Sequence, residues 1–210
     1  MIDLYTWATP NGRKISIMLE ELGLEYNIHE INIGKNEQHD PTFLKISPNN
    51  KIPVIVDNHG PEGKPFSLFE TGAILIYLAE KTNSELLPSN PSDRAITIQW
   101  LMFQIGGVGP MFGQAHIFLF NPKDDVPLVA ERFHKETKRL YSVMNQRLEQ
   151  SRFLAGNDYT IADIATYPWV QRNKRHNVEL EYYPNVKQWY DNLSKRPEVK
   201  KGMAVPFYNE

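Results

Sequence analysis

The chain has 210 residues, 41% hydrophobic and 23% charged, with a formal net charge of −2 and no cysteine. That length suits one large or two small cored domains, and that charge gives no electrostatic basis for binding nucleic acid or an anionic membrane. The missing cysteine excludes disulfide staples, zinc–thiolate sites and a protein-borne thiol nucleophile, so any thiol chemistry has to use a thiol carried by a ligand.

No apolar run is long enough to span a bilayer. The first residues, Met1 to Tyr5, enter a strand pattern without a signal-peptide layout, and the cytoplasm is the expected compartment. Ile2 to Trp7 is short, apolar and aromatic, as a buried strand is. Ala8-Thr9-Pro10-Asn11-Gly12 has turn composition. Ile15, Met18, Leu19 and Leu22 recur at helical spacing and predict a helix from about Arg13 to Leu22, ended by Gly23. Tyr26 to Ile33 reads as a second strand and Gly34 to His39 as a polar loop. Asp40 before Pro41 is an N-cap followed by a first-turn proline, opening a short helix through Phe43, Leu44 and Ile46.

Pro53 stands at the mouth of the apolar run Val54-Ile55-Val56. Proline cannot donate to a sheet ladder, so it belongs at a strand start or on an edge. Phe66 to Phe69 is a fourth strand. The loop before it carries Gly60, Gly63 and Pro65, which predicts a hairpin with the third. A helix follows from Gly72 to Lys81. Strands one and two, separated by a helix, are expected to be parallel through a right-handed crossover.

Asn83 to Ser92 holds Pro88 and Pro91 among polar residues and reads as a linker. Beyond it the pattern turns helical. Ile96, Trp100 and Phe103 form a stripe over Asp93 to Ile105, and Gly106 to Pro110 should bend or break that helix. The glycines are no phosphate loop, because their spacing is wrong and no Lys-Ser/Thr pair follows. Val129, Phe133, Leu140, Met144 and Leu148 predict a long amphipathic helix. Thr160-Ile161-Ala162-Asp163 fits a capping box, with Tyr159 and Ile164 placed for a hydrophobic staple, and Pro168 should kink the helix it opens. Val186, Trp189, Tyr190 and Leu193 mark a last helix, stopped before Pro197. The expected organisation is an α/β domain over 1–82, a linker over 83–92 and an all-helical domain over 93–210.

Two stretches carry chemistry. At the start of the Gly72 helix, free N–H groups and the positive end of the dipole suit a carboxylate, and Glu70 supplies a negative charge for an ammonium group. Together Glu70 and Thr71 can hold both ends of an amino-acid head. A cis Ile52–Pro53 bond, which is expected, turns the chain and leaves backbone groups for an extended peptide ligand. Taken singly, these features also read as an ordinary cap and an edge proline. Their joint occurrence points to a peptide-like ligand with a free amino-acid end.

The second stretch is Thr9-Pro10-Asn11-Gly12. Hydroxyl, amide and backbone N–H groups converge there at a helix N-terminus, an environment that favours a thiolate. A redox enzyme of the thioredoxin type has a cysteine at such a turn; here Thr9 and Asn11 stand ready to stabilise a ligand's sulfur. Taken alone, the stretch reads first as a turn and cap.

The order of elements, the Pro53 loop with Glu70-Thr71, and the helical second half with its Thr160 box resemble a cytosolic glutathione transferase over nearly the whole chain. The segments 9–14 (TPNGRK), 47–57 (SPNNKIPVIVD), 68–81 (LFETGAILIYLAEK), 109–114 (GPMFGQ), 130–133 (AERF) and 160–165 (TIADIA) are similar to the nu class, the glutathione-dependent disulfide-bond reductases. The resemblance implies a thioredoxin-like N-terminal domain, an all-α C-terminal domain, a homodimer, and glutathione as bound co-substrate with no metal. It implies that Ile52, beside Pro53, pairs with the cysteinyl backbone, that Glu70 and Thr71 hold the γ-glutamyl head, that Gln38 and Lys51 face the glycyl end, and that Thr9 and Asn11 face the sulfur. Arg132 is implied at the site of its own or a neighbouring subunit; by its residues alone it reads as a solvated arginine flanked by Glu131 and Glu136. Tyr5 lies inside the first strand and reads as packing, and His116 lies where a second-substrate pocket is implied.

The function that follows is glutathione-dependent disulfide-bond reduction. A conjugating transferase or a hydroperoxide peroxidase uses the same thiolate. A non-catalytic binding module is the alternative of another class, since this fold is reused without catalysis. The second substrate is a small disulfide, electrophile or hydroperoxide.

Overall fold

The computed structural model describes residues 1–120 and 126–207. The chain divides into two units, Met1–Ser84 joined by the residues from Arg196 on, and Glu85–Lys195.

The first unit is built from β1 (Ile2–Thr6), α1 (Pro10–Glu21), β2 (Tyr26–Glu30), α2 (Pro41–Leu44), β3 (Val54–Asp57), β4 (Phe66–Phe69) and α3 (Thr71–Lys81). The sheet order is β2-β1-β3-β4. β1 and β2 are parallel, with Leu4 opposite Ile28. β3 runs antiparallel to both β1 and β4, with Ile55 between Leu4 and Leu68. The parallel pair and the hairpin are as the spacing predicts. Ile2, Leu4 and Thr6 alternate onto the buried face of β1. Fully buried side chains of α1 (Ile15, Met18, Leu19) and α3 (Ile74, Leu75, Leu78) complete this core.

Local chemistry moves several boundaries. α1 begins at Pro10, not near Arg13, because Thr9 is its N-cap and Pro10 occupies the first turn. β2 stops at Glu30. Beyond it the Asn32 side chain accepts the N–H groups of Gly34 and Lys35 and starts a 3-10 turn at Ile33.

The second unit holds α4 (Pro91–Phe103), α5 (Gly109–Ala115), α6 (Pro127–Gln150), α7 (Ile161–Val170) and α8 (Pro184–Leu193). α4 starts inside the predicted linker, since Asn90 accepts the N–H groups of Ser92 and Asp93 and caps it. The glycines after α4 do not stop the helix. Gln104–Val108 turns in π-helical geometry, a widened turn that leads into α5. On α6 the buried stripe is Thr137, Leu140, Tyr141 and Met144, while Val129 is exposed.

All ten residues of α7 are buried, and Pro168 lies in its last turn. Its capping box is the polar hub of the unit. Asp163 accepts the N–H groups of Leu154 at 3.0 Å and Thr160 at 3.1 Å, and the Trp189 indole N–H of α8 at 2.9 Å. Tyr159 tilts onto Phe153, 5.7 Å between ring centroids.

A ninth helix, α9 (Pro197–Met203), has no apolar periodicity long enough to announce it. It is held to α1 instead. The Ser16 hydroxyl donates to the Gly202 carbonyl at 2.6 Å, and a Cβ on Gly202 would stand 2.5 Å from the Ile17 Cα. Arg196 forks onto Glu21 at 2.8 and 2.6 Å. These contacts group the residues from Arg196 on with the first unit, where the sequence pattern runs the helical domain through to 210. No described helix is long and apolar enough to cross a membrane.

Candidate functional site

Three loops of the first unit meet around a cavity of about 140 Å³. The turn before α1 contributes Asn11. The loop before β3 contributes Lys51, Ile52 and Pro53. The junction of β4 and α3 contributes Phe69, Glu70 and Thr71.

The first turn is set by close packing. A Cβ on Gly12 would meet the Trp7 carbonyl oxygen at 2.3 Å and the Thr6 Oγ1 at 2.4 Å, so only glycine fits. The half-buried Asn11 then faces the cavity. Thr9 Oγ1 accepts the Gly12 N–H at 3.1 Å. Its own hydroxyl proton is left to donate. The cap that the turn reading expects is therefore present. Thr9 stands two residues from Asn11, outside the cavity lining.

The Pro53 loop is ordered from beneath. Ser47 is fully buried, and its hydroxyl donates to the Lys51 carbonyl at 2.8 Å while accepting the Lys51 N–H at 3.3 Å. The Ile52–Pro53 bond is cis. Among the described hydrogen bonds none engages the Ile52 backbone, which stands two residues before the start of β3, where an extended ligand can add as a strand.

At the head of α3, Glu70 has φ 73° and ψ 116°. L-residues seldom adopt that conformation, and such strain persists where surrounding structure imposes it, often at binding sites. The Glu70 side chain is exposed and does not cap α3. Thr71 is buried, and its Oγ1 accepts a hydrogen bond from Lys14 Nζ at 3.2 Å. Lys14 is itself buried on α1. Burial pushes its ammonium down to about 7, and the Glu70 carboxylate opposes that shift. The cavity thus offers one carboxylate, one hydroxyl and the uncapped N–H groups of a helix start. That set matches the ammonium and carboxylate of a free amino-acid end.

Of the predicted residues, Asn11, Lys51, Ile52, Pro53, Glu70 and Thr71 come together. Gln38 lies in the 3-10 turn Glu37–His39, half-buried with its Oε1 unpaired, and is not part of this lining. Arg132 is an exposed residue of α6 in the second unit. Its neighbour Glu136 is held below the usual carboxylate range chiefly by Arg139 and also by Arg132. His116 sits at the start of the π-helical stretch after α5, edge-on to Phe120 at 5.4 Å. Tyr5 packs on the sheet, stacked on His29 at 4.5 Å and tilted onto Phe43. Among the described residues no group of three His, Asp or Glu is placed to hold a metal ion.

Lys14, Ser47 and Phe69 are additions that the sequence pattern does not single out. Lys14 left one trace: it lies four residues before Met18, on the buried stripe of α1, where a charge is out of place.

The family model described as glutathione S-transferase, N-terminal domain, matches residues 1–80, and that described as glutathione S-transferase, C-terminal domain, matches residues 109–197. The chain is 51% identical to the disulfide-bond oxidoreductase YfcG of Escherichia coli K12, over 97% of its own length and 94% of that protein's. A glutathione transferase of Burkholderia graminis, solved with two glutathione molecules per subunit, superposes with a TM-score of 0.92 at 43% identity, covering 99% of this chain and 89% of its own. One from Pseudomonas putida, solved with one glutathione disulfide per subunit, superposes with a TM-score of 0.93 at 43% identity, covering 98% and 91%. Both halves match their family models, and the likeness to YfcG runs nearly end to end, so the chain belongs to the glutathione S-transferase family.

Proposed function

We propose that this protein is a glutathione-dependent disulfide-bond oxidoreductase. The observation that carries this reading is the pairing of a strained, exposed Glu70 with the uncapped start of α3, in one cavity with the open Ile52 backbone. Likeness to YfcG, named for that activity, supports the reaction class, and the two bacterial structures solved with paired glutathione or its disulfide support the ligand.

In this reading Glu70 takes the ammonium of the γ-glutamyl head. Thr71 and the α3 N–H groups take its carboxylate. The Ile52 backbone pairs with the cysteinyl unit, and Lys51 and Gln38 lie towards the glycyl end. The thiol then reaches the first turn. The Thr9 hydroxyl, Asn11 and the N-terminus of α1 donate towards the sulfur and favour the thiolate. That thiolate attacks one sulfur of the substrate disulfide. A mixed disulfide forms, and the other substrate sulfur leaves as a thiolate. A second glutathione thiolate attacks the sulfur of the first, releasing the second substrate thiol and forming glutathione disulfide. Two thiols supply the two electrons, which a chain without cysteine cannot do itself. Arg132 is assigned to a glutathione carboxylate, in its own or a neighbouring subunit of a homodimer. The chemistry fits the reducing cytoplasm.

Calorimetric titration tests the ligand count. Two glutathiones, or one glutathione disulfide, per subunit are expected. A single glutathione with no affinity for the disulfide would contradict the two-thiol reaction and favour conjugation or peroxide reduction.

A further inference from the structure

A lysine without solvent contact is an expensive residue in a core, since a buried ammonium has lost its water. Lys14 is fully buried on α1, among Ile15, Met18 and Leu19. Its Nζ donates to Thr71 Oγ1, joining residues 57 positions apart. A hydroxyl that accepts from an ammonium has its proton turned to another partner. Thr71, the first residue of α3, lines the cavity, so the buried amine leaves its proton available to a ligand oxygen there.

We propose that Lys14 is the positioning residue for the γ-glutamyl carboxylate, fixing Thr71 as a donor and placing a countercharge one hydroxyl away from the ligand. The inference rests on the glutathione reading above and goes beyond it by making ligand retention depend on the protonation of a residue that never touches the ligand.

Glu70, at the head of α3, acts on Lys14 and favours its ammonium form. The last turn of α3 carries Glu80 and Lys81, and Lys81 is paired with Asp57 of β3 at 2.7 Å. α9, packed on α1, carries Glu198, Lys200 and Lys201, and Glu21 of α1 is paired with Arg196 just before it. Asp3 of β1 is bonded to Asn27, His29 and Asn58. No histidine lines the cavity.

The ligand head is a zwitterion, so position decides the sign. Its ammonium meets Glu70 at the exposed rim, while its carboxylate lands on Thr71, directly across the hydroxyl from Nζ. The nearer charge dominates, and binding favours the ammonium form of Lys14. By linkage, protonation of Lys14 favours binding to the same degree. Burial holds Lys14 at about 7. Binding raises that value, so affinity is full below neutrality and falls as pH rises through it.

The test uses S-methylglutathione, whose carboxylates stay ionised and whose thiol is blocked. Calorimetry in buffers of different ionisation enthalpy at pH 7.5 should show a fraction of a proton taken up on binding. Affinity should fall about sixfold between pH 6.5 and 8.5, the effect over that window of a shift of about one pH unit. Lys14→Met should bind about tenfold more weakly at pH 6.5, without proton uptake or pH dependence, and melt no lower than the parent. A merely structural lysine would not produce proton uptake. Parent binding without proton uptake overturns the inference and leaves the glutathione reading standing. Parent protein that binds neither S-methylglutathione nor glutathione overturns both. If Lys14→Met does not fold, the parent's proton uptake decides alone.

Discussion

Thr9 Oγ1 accepts the Gly12 N–H at 3.1 Å, so the hydroxyl assigned to the ligand's sulfur is also the cap of α1. The two roles use different parts of the group, the lone pair for the cap and the proton for the sulfur. Thr9→Ala should therefore lose about 1 kcal/mol of stability as well as turnover, while Thr9→Ser keeps both. The N-cap of α1 is Thr9 and not Asn11, so Asn11→Ala should lose turnover with a smaller loss of stability than Thr9→Ala. Denaturant midpoints measured beside rates separate the effects. A Thr9→Ala protein as stable as its parent would show that the cap is idle.

Glu70 combines a backbone cost with a side-chain role. Glu70→Gly and Glu70→Ala both remove the carboxylate, and only glycine accepts φ 73° without strain. Both should weaken glutathione binding about tenfold or more, the worth of a charge-assisted hydrogen bond. The glycine variant should be the more stable of the two by about 1 kcal/mol. Calorimetry and thermal melts give both numbers. Equal binding by either variant and the parent would remove Glu70 from the site.

The periodic elements of this fold are legible in the sequence because their burial is periodic. Leu4, Ile55 and the stripe Ile15, Met18, Leu19 announce β1, β3 and α1, and Thr160 with Asp163 announces the start of α7. What stays hidden has no period. α9 is held by a glycine contact and a carbonyl bond made 186 positions away in the chain. Glu70's positive φ is imposed by its surroundings and by nothing in its own preferences. In the site, Glu70, Thr71 and the Pro53 loop could be read from chemistry at a helix start. Lys14 and Ser47 act from beneath, through tertiary contacts, and their neighbours in sequence do not reveal them.

Asp163 collects donors from the α7 cap residue Thr160, from α8 and from the preceding loop. Asp163→Asn places an amide against some of those donors and should lose about 2–4 kcal/mol, as breaking a buried charged network does. Thr160→Ala removes the cap bond from the Ala162 N–H and the hydroxyl's own donation to Asp163, and should lose about 1 kcal/mol. Urea titration measures both. A smaller loss for Asp163→Asn than for Thr160→Ala would contradict its place as the hub.

His176 is buried, with neither ring nitrogen bonded among the described residues, and it packs against Phe112 at 4.7 Å. Burial, aided by His116, Arg172 and Arg175, pushes it down to about 3 from an ordinary 6.5. Below 6.5 the unfolded chain takes a proton that the folded one refuses. Stability contributed by His176 is thus complete above 6.5 and lost as pH falls towards 3, by up to about 1.4 kcal/mol per pH unit. His176→Phe should flatten that part of the stability profile. An unchanged acid slope would place the titrating group elsewhere.

The most direct measurement is glutathione-dependent reduction of a small model disulfide, coupled to glutathione reductase, in the parent and in Asn11→Ala. The account predicts turnover in the parent and a loss of about tenfold or more in the folded variant, as removal of a thiolate donor brings. A parent that binds glutathione tightly yet reduces no disulfide would contradict it, and would direct attention to conjugation and peroxide reduction by the same thiolate.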